Sequence, residues 1–100
     1  MGEEELDDFE ATLEMALVQE YRAVFSMFTY AVETDRRFYL ANDVQISVLS
    51  NNSPTLLEVS LTDAWVWDMY RAARFVPSVR IHTFRDVNVE RLPENDEIAP

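Results

Sequence analysis

The sequence predicts an α+β domain: one N-terminal amphipathic helix packed on an antiparallel sheet of about four strands, with a short tryptophan-rich crossover before the last strand. Three observations predict it. Apolar residues recur every three or four positions over the first quarter of the chain, the period falls to two from Phe28 onward, and polar or proline-containing breaks separate the alternating runs.

Leu6, Phe9, Leu13, Leu17, Tyr21 and Val24 form the helical stripe, which sets a helix over residues 4 to about 25. Acids crowd its first turns, where they complement the positive end of the macrodipole, and Arg22 stands near the last turn. Phe28, Tyr30 and Val32 then alternate with smaller residues. After the polar break Thr34-Asp35-Arg36, the residues Phe38, Leu40, Val44, Ile46 and Val48 are read as one face of a long strand, so the two runs make a hairpin. Asn42 falls on that same face and marks a bulge or a polar contact. Ser50 to Pro54 is a turn, and Leu57, Val59 and Leu61 resume the alternation in a third strand.

Asp63 to Phe75 carries both tryptophans, a tyrosine, a phenylalanine, two arginines and two aspartates in thirteen residues. The reading is an irregular or short helical crossover capped by Asp63, although Trp65 and Trp67 are also spaced for one strand face. Pro77 opens a last strand in which Val79, Ile81, Val87 and Val89 share a parity, with a kink at Arg85-Asp86. Residues 92–100 lack periodicity and are read as a mobile acidic tail on a single domain of residues 1–91.

One hundred residues with 48% apolar content fit one core. There is no cysteine, which removes thiolate metal sites and thiol nucleophiles and suits a reducing compartment. The start Met-Gly-Glu-Glu-Glu-Leu-Asp-Asp is opposite in charge to a signal peptide, no apolar run reaches membrane-spanning length, and Leu6 stands where a myristoylation motif needs Ser or Thr. A cytoplasmic location with no membrane contact is expected. The net charge of −11 is end-loaded: residues 1–20 hold eight acids and no base, whereas seven acids face seven arginines from Tyr21 to Val89. Acidic ends repel phosphate and leave the central surface free to bind it.

A single glycine, Gly2, rules out Gly-rich phosphate loops, and no zinc-finger, His-Glu-x-x-His or Gly-x-Ser-x-Gly pattern occurs. His82, the only histidine, alternates out of phase with Val79 and Ile81 and reads as a solvated strand residue beside Arg80. Glu33, Asp63, Asp68 and Asp86 have no metal-ligand spacing and are better explained as cap and turn residues. No catalytic residue, metal or cofactor is assigned. Two surfaces remain. Trp65, Trp67, Tyr70, Arg71 and Arg74 offer large rings and guanidinium groups to a partner, and Arg36 and Arg37 would join Arg71 and Arg74 in a basic, aromatic-flanked patch if the hairpin lies near the crossover. The competing use of these arginines is pairing with Glu33, Asp35, Asp63 and Asp68, which the balanced middle of the chain favours.

The string from Tyr30 to Asn42, Tyr-Ala-Val-Glu-Thr-Asp-Arg-Arg-Phe-Tyr-Leu-Ala-Asn, resembles a small actinobacterial family of unknown function. So do the string Asp63 to Arg71 and the runs Ala73 to Val76 and Thr83 to Val89. The resemblance spans nearly the whole length. Genes of that family typically lie beside that of ribonuclease HII, which implies a cytoplasmic setting near nucleic-acid metabolism, but it carries no catalytic residues over. The expected function is a non-enzymatic protein-interaction or adaptor domain with an unidentified protein partner. The alternative is a nucleic-acid-associated protein, binding through arginines or mimicking phosphate with its acidic helix, and a metal-dependent hydrolase ranks third.

Overall fold

The computed structural model describes residues 3–93 and contains one helix, a 3-10 turn and five strands. Helix α1 spans Glu3–Val24 and runs into the 3-10 turn Phe25–Met27. Strands β1 (Tyr30–Glu33), β2 (Phe38–Ser50), β3 (Leu56–Val66), β4 (Phe75–Thr83) and β5 (Asn88–Arg91) form one antiparallel sheet in the order β4-β3-β2-β1-β5. The fold class and the first two hairpins are as expected from periodicity. The strand number is five, because the expected last strand is two strands at opposite edges of the sheet. Their common parity reflects a common destination: Val79 and Ile81 from β4 and Val87 before β5 all pack on the same apolar cluster.

Only residues 84–87 join β4 to β5, and that short link fixes the shape of the sheet. Thr83 aligns through Leu57 with Val48, and Asn88 aligns through Glu33 with Phe38, about ten residues away along β2. A flat sheet would hold those ends roughly 35–40 Å apart, given ~4.8 Å between strands and ~3.4 Å per residue. Five peptide steps span at most about 18 Å. The sheet is therefore strongly coiled, with one pair of corners drawn together.

Coiling goes with a bend that crosses three strands. Phe38 and Leu40 pack toward the helix, yet Val44, of the same parity on β2, packs in the opposite cluster. Trp65 and Trp67 likewise face the helix while Val59 and Leu61 do not, and Phe75 stacks on Phe28 of the helix-side cluster while Val79 faces away. A straight strand keeps one parity on one face, so each strand changes face, near Asn42, Asp63 and Pro77. Asp63 has φ +50°, a left-handed conformation that a non-glycine residue adopts at some cost. The long face expected from Phe38 to Val48 is thus divided. Asn42 makes the polar contact expected there, accepting the Thr29 hydroxyl at 3.3 Å. Asp63 is a bend residue inside β3 and caps no helix.

The bend separates two cores. Val32, Tyr39, Ala41, Val59, Leu61, Ala64 and Val66 fill the concave side, and Leu17, Val24, Phe28, Leu40 and Trp65 join α1 to the other. Phe9, although in the helical stripe, is 59% exposed, so α1 docks through its C-terminal half. Leu92, read as the start of a tail, donates its N–H to the Thr29 carbonyl at 2.7 Å and packs on the helix-side cluster. The rest of the expected tail, from Glu94, lies outside the described residues.

Candidate functional site

Two polar constellations stand on this frame. The first joins α1 to the tryptophan-rich segment. β3 runs through Trp65 to Val66, and Trp67 to Arg74 forms a loop of turns, so the expected crossover is the end of a strand plus a loop. Trp65 is 0% exposed and rings from Tyr21 and Trp67 pack edge-on or tilted against it at 5.9 Å. A buried indole needs a partner for its N–H, and Trp65 Nε1 donates to Glu20 Oε1 at 2.6 Å. The same carboxylate takes a fork from Arg74, Nε to Oε1 at 2.9 Å and an Nη to Oε2 at 2.6 Å. The Arg74 hydrogen bonds hold the Glu20 carboxyl below its ordinary range, with burial opposing and the Trp65 N–H assisting, and Glu20 raises the already high Arg74 value. Arg74 also donates to the Arg71 carbonyl at 2.9 Å, closing the loop on itself. Farther along the helix, the Tyr70 hydroxyl donates to Glu10 at 3.1 Å.

The second constellation lies where the β1–β2 turn meets the end of β4. The β1–β2 turn and the end of β4 enclose an open groove of about 530 Å³ whose lining includes Arg36, Arg37, Arg80, His82, Phe84 and Arg85, with Tyr39 at its floor. Thr34 sets the turn: its N–H donates to the Arg37 carbonyl at 2.9 Å, and its hydroxyl oxygen accepts from the N–H groups of Arg36 and Arg37 at 3.3 and 3.1 Å. Such local bonds fix a tight turn without glycine. At the facing end, the buried Thr83 hydroxyl oxygen accepts the Arg85 N–H at 2.9 Å. Arg37 pairs with Asp68 at 3.2 Å, Arg85 with Asp35 at 3.5 Å, and His82 meets Glu58 at 2.9 Å across the β3–β4 ladder. Arg36 and Arg80 are exposed and have no ion pair among the described residues. Phe84 is 61% exposed. Four of the chain's eight arginines thus converge where the lining supplies one acid, Asp35.

The whole chain, residues 1–100, matches the family described as protein of unknown function (DUF2469). The chain belongs to the DUF2469 family. It is 48% identical over 101 residues to the uncharacterised protein Rv2901c of Mycobacterium tuberculosis and, equally, to the uncharacterised protein Mb2925c of Mycobacterium bovis, both actinobacterial; the match covers 94% of this chain and 100% of each relative. No solved structure matches it.

In this DUF2469 chain the residues expected to form one contact set are divided. Trp65 is sealed in the core and Trp67 is half-buried beside it, so neither ring is free to anchor a partner as expected. Each large ring buries much apolar area, and here the two fill the junction of a helix and a bent strand. Arg74 is committed to Glu20, an acid of the helix that the local pairing scheme did not include. Tyr70, 65% exposed, and Arg71 remain displayed on the loop. Arg36 and Arg37 line the groove with Arg80 and Arg85, which the expected patch did not include, while Arg74 is held at Glu20; the loop still lies close to the hairpin, since Arg37 pairs with Asp68 and both Arg37 and Arg71 act on the Tyr39 hydroxyl. Alternation had placed Arg80 and His82 on one polar face; the coil that carries this face to the β1–β2 turn leaves no sequence signal. Glu33, Asp63, Asp68 and Asp86 lie on β1, the β3 bend, the loop and the β4–β5 link, and no group of three potential metal ligands forms among the described residues.

Proposed function

We propose that this protein is a small binding domain, without chemistry of its own, that takes the phosphate backbone of a single-stranded nucleic acid into the arginine groove and stacks a base on Phe84. One observation carries this reading: in a chain of net charge −11, half of the arginines line one groove, and two of them, Arg36 and Arg80, have no ion pair among the described residues. Guanidinium groups suit phosphate because they present planar pairs of donors. An exposed ring beside them is the other half of a single-strand platform, since every base has a face to stack. Tyr39, Val79 and Ile81 of its lining belong to the core cluster that α1 does not join, and no acid of the helix lines the groove among the described residues.

A labelled oligouridine of about ten nucleotides, followed by anisotropy, tests the reading. Binding should weaken with salt at a log–log slope of about −1.5 to −2, as expected for two to three phosphates neutralised on a single strand. Phe84→Ala should weaken it by about 1–3 kcal/mol. Binding that ignores salt, or none at all, contradicts the proposal.

A second reading, a protein-interaction domain, is supported by the display of Tyr70 and Arg71 on the loop after β3. Arg71 would then be its test position, because it is exposed and, among the described residues, its guanidinium donates a hydrogen bond to the Ala73 carbonyl at 2.7 Å and forms no ion pair.

A further inference from the structure

β1 pairs with β2 only from Phe38 to Ala41, so β2 continues to Ser50 with β3 on one side and no strand on the other among the described residues. From the edge strands proper it differs in chemistry. β4 carries Pro77 and Arg80, and β5 is four residues long with Glu90 and Arg91, which are the devices that keep an edge from pairing with another chain. Past Asp43 the overhang of β2 has no charge and no proline, and its one irregularity is the register shift between Val48 and Ser50. No charge occurs from Val44 to Leu57, fourteen residues of a chain in which 27% are charged.

The overhang also alternates. Val44 packs on the concave core cluster, and Ile46 and Val48 continue its face outward at 48% and 54% exposure. Pairing Ile46 with Val59 and Val48 with Leu57 across the β2–β3 ladder makes that face one apolar surface, continuous with the core. We infer that the free edge of β2 is a homodimer interface, in which two copies pair their β2 strands antiparallel about a two-fold axis through Ile46.

A second copy is the occupant this edge suits best. The axis at Ile46 sets Val44 opposite Val48 of the other copy, Gln45 opposite Ser47, and Asp43 opposite Leu49, so no like charges meet. A free edge strand is the usual substrate for strand addition, in which main-chain hydrogen bonds supply affinity and alternate side chains supply register. An isologous contact of this kind closes on itself and leaves no further edge to propagate. The charge layout acts in the same direction: two copies of net charge −11 repel, and the uncharged hairpin is where they approach at least cost. The register shift at Leu49 confines the expected ladder to Val44–Val48.

Sedimentation of the full chain tests this. The wild type should run at twice its 11.7 kDa chain mass, and Ile46→Lys should run as a monomer with its dissociation constant raised about 100-fold or more. Because the chain has no cysteine, Ile46→Cys offers a second readout that survives any loss of folding in the lysine variant. Directly opposed residues of an antiparallel pair lie within disulfide reach, so mild oxidation should give a covalent dimer from Ile46→Cys and not from Ser60→Cys on the covered strand. A monomeric wild type, or cross-linking that is equal at positions 46 and 60, overturns the inference.

Discussion

Glu20 is the residue on which the helix, the strand end and the loop converge, since one carboxylate accepts from Trp65 and twice from Arg74. Its folded value lies below the ordinary 4.5, so between the two values the unfolded chain binds more protons and stability rises with pH. The contribution is complete above the unfolded value and is lost as pH falls through the folded one. Glu20→Gln should therefore flatten part of the acid limb of stability, read as the urea midpoint from about pH 7 down to pH 3. An unchanged acid limb would mean that the pair adds nothing to folding. The neighbouring ring has a different weight: Trp65→Ala removes a fully buried indole and orphans part of Glu20, with an expected loss of about 3–5 kcal/mol. Arg71→Ala, which removes one exposed contact to a carbonyl, should change stability by less than about 0.5 kcal/mol. Equal losses at Trp65 and Arg71 in chemical denaturation would refute this division between a structural ring and a displayed arginine.

At the scale of elements, the docking of α1 and the bend of β3 each make a separable prediction. Leu17 is buried against Leu40 and Trp65, whereas Phe9 is largely exposed. Leu17→Ala should cost about 2–5 kcal/mol through lost burial and the cavity it leaves, and Phe9→Ala under about 1 kcal/mol. Similar small values would mean that α1 is not docked. For the bend, Asp63→Gly should be neutral or stabilising by up to about 1 kcal/mol because glycine accepts φ +50° freely, while Asp63→Val should cost about 1–2 kcal/mol or more. Thermal midpoints of the two variants check the sign. The helix and the hairpins were legible because apolar periods of 3.6 and 2 are local quantities. The bend was legible only at Asn42, which reads as a bulge or a polar contact; Asp63 reads as a cap and Pro77 as the start of a strand, and neither reading contains a change of face. Nor does parity tell one kinked strand from two strands on opposite edges that serve one core, which is why Val79 to Val89 reads as continuous.

Across the whole molecule, the coil decides which charges meet. It brings the β1–β2 turn to the end of β4, so Arg36 and Arg37, adjacent in sequence, gain Arg80 and Arg85 from more than forty residues away. Half of the basic surface could be read from the turn; its completion depends on a tertiary closure that has no local pattern. The tryptophan-rich segment misleads in the opposite sense, because the same rings that make good partner anchors also make good core at a helix–strand junction, and composition does not distinguish the two. Charge is divided between two places, with Glu10 and Glu20 of α1 bonded to Tyr70 and Arg74 of the loop after β3 and four arginines gathered between the β1–β2 turn and the end of β4. The most direct test of the groove as the binding surface is a residue-resolved amide titration of the full chain with a short oligouridine. Shifts should concentrate on Thr34–Arg37 and Arg80–Arg85 and leave the Trp65 indole N–H unmoved, and Arg36→Ala with Arg80→Ala should weaken binding at least tenfold. Shifts confined to α1 or to Tyr70 and Arg71, with the groove silent, would contradict it.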